Sequence, residues 1–200
     1  MFKSLMKMFK KDEPQEAAAV TVEPVSDVVK VEPKPEAPNP PVLDSITFSV
    51  AGVTMKNEDN KDIQALIRKN ARQHLTDNGF KTYGGYTKRE ILEDDMEVFE
   101  FEDVTLYKED IRFEEEPSNP YDPNAIKVYL TFVEGEEHHF GYIPKNMTAT
   151  VKETLAKDVR RMNAQVIGGK LKKADYDEVV IDDSLSLGVK IEIHYLPEEK

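Results

Sequence analysis

The residues best suited to chemistry in this chain lie in one short stretch, Asn119 to Asp122. An asparagine, a tyrosine and an aspartate are interleaved there with prolines, in the order Asn119-Pro120-Tyr121-Asp122-Pro123. Proline fixes its own φ and pushes the preceding residue out of the helical region, so the stretch is a stiff turn. The tyrosine ring of such a turn can stack on a planar group, while the amide and the carboxylate hydrogen-bond its polar edge. Turn formation alone is the competing interpretation, because Asn, Asp and Pro are the usual residues of turns.

A basic segment follows this turn in an acidic protein. From Glu90 to Asp122 the chain has fourteen acidic residues and two basic ones, whereas from Lys145 to Lys173 it has eight basic residues and two acidic ones. Lys145 and Lys152 are the first two cations of the basic segment. These cations are suited to an anionic ligand, and a solvated helix face is the alternative.

Alternation of apolar and polar residues predicts the strands that must carry these groups. Strands are predicted at 45–51, 98–101, 104–107, 111–113 and 126–132, in the stretch that ends at Ile143, and at 165–167 and 189–195. The turn runs directly into the strand at 126–132, and Lys145 follows the strand that ends at Ile143. The basic segment therefore follows directly on the strands that leave the turn.

Apolar residues at helical spacing predict three helices. Their ranges are 63–75, with Asp59 or Asn60 as the N-cap, 87–94, and a stretch from Asn146 or Thr148 to about Arg160. Tyr83-Gly84-Gly85-Tyr86 predicts a turn between the first two helices, and it lacks the spacing of a phosphate-binding loop.

The first 44 residues differ from the rest. In residues 1–11, apolar side chains share one helical face and lysines lie mostly opposite, which favours weak docking on a membrane or a partner, with a disordered terminus as the alternative. Residues 12–44 mix seven prolines with Glu, Val and Ala and contain no glycine or aromatic residue, which is typical of a disordered tether. We therefore predict a tail at 1–44 and one folded domain at 45–200.

Composition argues against several function classes. The net charge of −12 opposes indiscriminate binding to nucleic acid or to anionic membranes, and the absence of cysteine excludes a thiolate nucleophile and a Cys-based zinc site. His138 and His139 are adjacent on a predicted strand and face opposite ways, which disfavours a shared metal. No nucleotide-binding loop or recognised nuclease spacing occurs in the sequence. The expectation is a cytoplasmic protein that is not an enzyme and has no cofactor, metal or small-molecule substrate.

The order of motifs resembles the HIRAN domain family, most closely the versions that stand alone in bacteria and phages. The resemblance lies in a strand followed by Ala51-Gly52, then EPSNPYDPNAIKV, FGYIPK, a helix, IGG and GVKIEI, and it covers about Ser45 to Tyr195. It implies a small β-barrel related to SH3 and OB folds, with flanking helices. The expected fold class is therefore α+β, preceded by the disordered Pro/Glu-rich tail.

The resemblance also implies a pocket for the 3′ end of single-stranded DNA. Tyr121 would stack on the terminal base, with Asn119 and Asp122 near the terminal hydroxyl. Lys145 would approach a backbone phosphate, Tyr142 would line the pocket, and we add Lys152 as a second cation of the basic segment.

Two departures from the family pattern stand beside this site. Relatives that are attached to helicases carry an Arg-aromatic pair where this chain has Thr54 and Met55. The three glutamates 114–116 are expected to repel a phosphate.

Two functions are therefore weighed. The leading one is a non-catalytic module that recognises single-stranded DNA 3′ ends in repair, replication or phage DNA metabolism. The alternative is a protein-interaction adaptor whose acidic surface mimics DNA and whose tail tethers it to a partner or a membrane.

Overall fold

The computed structural model describes residues 41–197, which belong to one compact unit. The predictions for residues 1–11 and for most of the tether lie outside the described residues. The strands are β1 Asp44–Ser49, β2 Glu97–Phe99, β3 Thr105–Tyr107, β4 Ile111–Glu115, β5 Ile126–Val133, β6 Glu136–Tyr142, β7 Val159–Gly168, β8 Leu171–Asp175, β9 Glu178–Asp182 and β10 Leu187–Tyr195. The helices are α1 Ile63–Asp77, α2 Lys88–Glu93 and α3 Thr148–Leu155, with short 3-10 turns at Thr82–Gly85 and Lys108–Asp110.

Three antiparallel sheets and a few helices make this an α+β fold, as predicted. The sheets have the strand orders β1-β10-β7-β3, β4-β5-β6 and β2-β8-β9. The predicted barrel is wrong in one respect, because the described sheets do not close into a barrel. The first two sheets are joined at a corner, where the backbones of Ala51 and Tyr142 exchange hydrogen bonds of 2.8 and 2.9 Å.

Glycine is required at this corner. Gly141 has φ 137°, and a Cβ on it would overlap the carbonyl oxygen of Ala51. The glycine therefore lets the chain after β1 approach β6 closely enough to form the bridge.

The core follows the predicted periodicities. On β10, Val189, Ile191 and Ile193 are buried at every second position, and on α1 the buried Ile63 and Ile67 are one helical turn apart. One hydrophobic cluster joins α1 to the first two sheets. The β2-β8-β9 sheet carries its own smaller buried group, with α2 lying against β8 and β9.

Helix boundaries correct three predictions. Asp62 caps α1 instead of Asp59 or Asn60, because its side chain accepts a hydrogen bond from the N–H of Ala65. Neither Asn146 nor Thr148 caps α3, whose N-cap is Met147 with no side-chain bond.

The third helix is also shorter than predicted. It ends at Leu155, and Arg160 lies on β7. Burial of Met162, Ala164 and Val166 at every second position explains why the ten residues of β7 pair with β10 as a strand.

The hairpin of β8 and β9 was not predicted. Leu171 is the one buried residue in these two strands, so the apolar alternation is too weak to reveal them.

Candidate functional site

The turn at Asn119 to Asp122 is held by its own side chains. The side-chain amide oxygen of Asn119 accepts hydrogen bonds from the backbone N–H groups of Tyr121 and Asp122, at 3.0 and 3.2 Å. The Asp122 carboxylate accepts a third, from the N–H of Asn124 at 3.0 Å. These side-chain bonds fix the turn in addition to its prolines. The Tyr121 ring, 91% exposed, therefore projects from a rigid support.

Tyr121 stands at the edge of a cleft of about 440 Å³, which we call the tyrosine cleft. Its lining includes Met55, Glu58, Glu116, Asn119, Tyr121 and Tyr142. Met55 belongs to the loop between β1 and α1 and is exposed. A thioether therefore lies in the cleft where helicase-attached relatives are expected to have an aromatic ring.

Lys127 is the centre of a charged network in this cleft, which we call the Lys127 network. Its ammonium group lies 2.7 Å from Glu58 and 3.1 Å from Glu116, and its side chain is 12% exposed. Glu116 also accepts hydrogen bonds from the Tyr142 hydroxyl at 3.0 Å and the Asn119 amide at 2.7 Å. Strand β5 is thereby bonded to the loop after β1, to the turn and to the end of β6.

The network keeps its groups in fixed protonation states at neutral pH. The hydrogen bond from Asn119 lowers the pKa of Glu116, and the bond from Lys127 lowers the pKa of Glu58. The bond to Glu58 raises the pKa of Lys127 above its ordinary value. Burial, helped by Glu116, raises the pKa of Tyr142. Two carboxylates, one ammonium and a neutral tyrosine hydroxyl therefore meet here.

His139 supports the tyrosine cleft from below. It is buried, one ring nitrogen donates to the Gly141 carbonyl oxygen at 2.9 Å, and its ring meets the Tyr142 ring edge-on with centroids 4.9 Å apart. Burial lowers the pKa of His139, which is neutral at pH 7. His138 lies on the other side of β6, against Phe140. Residues 41–197 contain no group of three or more His, Asp or Glu side chains placed to hold a metal.

The other side of the turn carries a second hollow, the lysine cleft, of about 300 Å³. Asp122, Lys145, Thr148 and Lys152 are among its lining residues. Lys145 is 80% exposed and lies 3.9 Å from the Asp122 carboxylate, whereas Lys152 lies 2.8 Å from Glu115. Because α3 has no side-chain N-cap, the N–H groups of its first turn add positive character to this cleft.

The structure divides the six predicted site residues into two groups of three. Asn119, Tyr121 and Tyr142 line the tyrosine cleft, and Asp122, Lys145 and Lys152 line the lysine cleft. The turn is the wall between the two clefts.

Each of the three glutamates before the turn lies beside a cation. Glu114 lies 2.6 Å from Arg112, Glu115 lies 2.8 Å from Lys152, and Glu116 lies 3.1 Å from Lys127. The repulsion expected from these charges is weakened but not cancelled, because Arg112 is shared with Glu137 and Lys127 is shared with Glu58. Lys152 is already engaged by Glu115.

Glu58, Lys127 and His139 belong to the site but were not predicted. Lys127 alternates with the buried Ile126 and Val128, so its position on β5 indicates a solvent-facing residue. Its partner Glu58 lies sixty-nine positions earlier. Sequence carries no signal for a pair that only the fold brings together.

Comparison with known proteins gives one match. The family model of the HIRAN domain matches residues 99–193. The chain contains a HIRAN domain. The comparisons with curated proteins and with solved structures found no match.

The matched HIRAN segment includes the turn and the lysine cleft but not the whole tyrosine cleft. Met55 and Glu58 precede it, so the N-terminal part of the folded unit completes that cleft. A HIRAN domain is consistent with a nucleic-acid-binding module. In addition, no described helix has the length and apolar character to cross a bilayer.

Proposed function

We propose that the protein is a non-catalytic module that binds the 3′ end of single-stranded DNA at its Asn119 to Asp122 turn. The observation that carries this proposal is the placement of Tyr121. Its ring is exposed on a rigid turn that lies between the tyrosine cleft and the lysine cleft. A turn between these two clefts suits a terminal nucleotide, because a base stacks on aromatic rings and a phosphate requires cations.

In this proposal the terminal nucleotide straddles the turn. Its base stacks on Tyr121 toward the tyrosine cleft. Its sugar and phosphate lie toward the lysine cleft, where Lys145 and the first turn of α3 meet the phosphate. Each group contacts the side of the turn that matches its chemistry.

Asp122 provides the preference for an unmodified end. Its carboxylate lies beside Lys145 and accepts a hydrogen bond from a free 3′ hydroxyl. A 3′ phosphate at the same place brings two negative charges against that carboxylate and is rejected. The end group, and not the base sequence, is therefore what the site reads.

The test compares three strands of the same sequence by fluorescence anisotropy at low salt: one with a free 3′ hydroxyl, one with a 3′ phosphate and one with a 5′ phosphate. The 5′-phosphorylated strand also ends in a free 3′ hydroxyl, so it and the unmodified strand are expected to bind equally, and both more tightly than the 3′-phosphorylated strand. Tyr121→Ala should weaken that binding by about 5- to 150-fold, because stacking on one aromatic ring contributes about 1–3 kcal/mol.

Tyr176→Ala is the matched control. Tyr176 is 98% exposed in the turn between β8 and β9, away from both clefts, and its removal should leave binding unchanged. Equal affinity for the three wild-type strands, or equal effects of the two tyrosine variants, would contradict the proposal.

A second candidate is the protein-interaction adaptor, which one observation favours. Several exposed carboxylates have no salt-bridge partner within residues 41–197, namely Asp94, Asp95, Glu97, Glu102, Asp103 and Glu109. They form an acidic segment suited to a basic partner. A synthetic lysine-rich peptide should then bind wild type and lose affinity when Asp94, Asp95 and Glu97 are replaced by amides. Unchanged peptide binding counts against this role.

A further inference from the structure

A third hollow, of about 490 Å³, lies at the C-terminal end of α1, and we call it the aromatic-basic cleft. Its lining includes Arg72, Thr76, Phe80, Lys81, Gly85 and Tyr86. All of these residues precede the matched HIRAN segment. The cleft is therefore a feature of this chain outside the family match.

The end of α1 fixes Phe80 at the surface. The N–H of Phe80 donates to the Leu75 carbonyl oxygen at 2.8 Å, and the N–H of Gly79 donates to that of Thr76 at 3.2 Å. With Gly79 at φ 73°, these two bonds form a Schellman motif. The motif holds the backbone of Phe80, yet 55% of the side chain remains exposed. The ring is presented by a rigid helix end.

The Tyr83 to Tyr86 turn fixes a second ring. Gly84 has φ 58°, and a Cβ on it would lie 2.7 Å from the Tyr86 ring. Gly85 similarly leaves room for the stem of Lys81, whose Cδ would lie 3.5 Å from an added Cβ. The two glycines therefore let an aromatic ring and a lysine stem lie against the backbone, with Tyr86 still 42% exposed.

Cations surround these rings in a protein that is otherwise acidic. Arg72 is half exposed and shares the cleft with Lys81, which has no salt bridge within residues 41–197. Lys172 lies 4.0 Å from the centroid of the neighbouring Tyr83 ring. Two carboxylates act on this group, because Glu100 is bonded to Arg72 and the charge of Asp183 also reaches Tyr83. Exposed rings next to cations are the surface that stacked bases and phosphates require.

We propose that the aromatic-basic cleft binds the interior of the single strand whose 3′ end is held at Tyr121. This inference rests on the proposed function and extends it by a second contact. Helix α1 connects the two places, since Ile63 at its start lines the tyrosine cleft and Thr76 near its end lines the aromatic-basic cleft. At 1.5 Å per residue these positions are about 20 Å apart, a span of a few nucleotides. The bases stack on Phe80 and Tyr86, and the phosphates meet Lys81 and Arg72.

Strand length is the variable that tests this contact. Oligonucleotides of about 4 and about 16 nucleotides, both with free 3′ hydroxyls, bracket the site sizes of single-strand-binding folds. Wild type should bind the longer strand more tightly. The double variant of Phe80→Ala and Tyr86→Ala should remove that gain, by about fivefold or more, and keep the preference for a free 3′ hydroxyl. Lys81→Met should lower the salt dependence of long-strand binding.

Tyr121→Ala separates this inference from the proposed function. Without the Tyr121 ring the terminal base is no longer held beside Asp122, so the 3′ hydroxyl preference should be lost together with binding at the turn. The variant should still bind the long strand more tightly than the short one, even when the 3′ end is phosphorylated. If the double variant weakens long-strand binding but wild type binds free and phosphorylated 3′ ends equally, the proposed function is overturned and the second contact is not.

Two results overturn the inference itself. One is the absence of a length gain in wild type. The other is a double variant that has the circular dichroism spectrum of the folded protein and still binds the longer strand more tightly than the shorter one. In that case the surface is better explained as a site for a protein partner. Tyr176→Ala, an exposed tyrosine outside every cleft described, is the control for removal of a surface ring.

Discussion

The lysines on the two sides of the Asn119 to Asp122 turn differ in burial and in their carboxylate partners. On the tyrosine side, Lys127 is nearly buried and has two carboxylates within 3.1 Å. On the lysine side, Lys145 is exposed and its one carboxylate partner lies 3.9 Å away. The first lysine holds the turn in place, and the second is available to a ligand.

This difference teaches how an acidic protein can present a site for an anion. Lys127 balances one of the two carboxylate charges beside it, those of Glu58 and Glu116, so the tyrosine side keeps one net negative charge and suits a base better than a phosphate. In the proposed function the phosphate meets Lys145 on the other side of the turn, where this lysine is exposed to water and can exchange one partner for another. Four predictions test the contrast, from the largest expected effect to the smallest.

Replacing Lys127 by methionine should have the largest effect. It leaves Glu58 and Glu116 close together without their shared cation, so the free energy of unfolding should fall by about 2–4 kcal/mol. The measurement is the urea midpoint at neutral pH. Lys145→Met is the matched control on the other side of the turn, and it should change stability by no more than about 0.5 kcal/mol. Equal losses in the two variants would remove the contrast.

Asn119→Asp should destabilise the turn by a smaller amount. In the wild type Glu116 accepts a hydrogen bond from the Asn119 side-chain amide at 2.7 Å. The new carboxylate replaces this bond with a repulsion, which should cost about 1–2 kcal/mol. Asn119→Ala adds no charge, but it also loses the two hydrogen bonds that the Asn119 side chain accepts from the N–H groups of Tyr121 and Asp122, which Asn119→Asp keeps. Thermal unfolding at low and at high salt measures both variants, and salt should relieve the loss in Asn119→Asp but not the loss in Asn119→Ala. A loss in Asn119→Asp that salt leaves unchanged would show that Glu116 does not sense the new charge.

The effect of Lys127→Met should depend on pH. Because the folded pKa values of Glu58 and Glu116 lie below the usual value of 4.5, their contribution to stability is complete above that pH and is lost as pH falls through the folded values. The stability gap between wild type and Lys127→Met should therefore narrow between about pH 5 and about pH 3. Urea midpoints across this range measure the stability difference between the two proteins. A difference that does not change with pH would show that the effect of Lys127 on stability does not come from its ion pairs with Glu58 and Glu116.

The smallest effects are expected on the lysine side. Lys145→Met should reduce the slope of log affinity against log salt by about 1 for the single strand, with no change in stability. Lys152→Met should do less, because Glu115 already occupies this lysine at 2.8 Å. Lys88→Met, at the exposed start of α2, is the control. A slope that is unchanged in Lys145→Met would exclude that lysine as a phosphate contact.

Local patterns in the sequence were enough for most elements of the fold. Alternation located β5, β6 and β10, and helical spacing located α1, because burial of one face imposes a fixed period. The end of α3 and the hairpin of β8 and β9 were missed. Their boundaries depend on pairing with distant strands, which no local period records.

The candidate site was also predicted only in part. The proline-framed turn and its Tyr121 are visible in sequence, since proline and asparagine restrict the backbone locally. Its separation into two clefts was not predicted. Tyr142 and Lys145 are three residues apart, yet the chain turns between β6 and α3 and sends them to opposite sides of the turn.

The sequence by itself determined a rigid turn with one tyrosine, the α+β class and the HIRAN resemblance, because each rests on residues adjacent in the chain. Only the tertiary structure decided which charges remain available to a ligand. That outcome depends on Glu58 reaching Lys127 and on Glu115 reaching Lys152. Ion pairs form through space, and their partners are chosen by the fold.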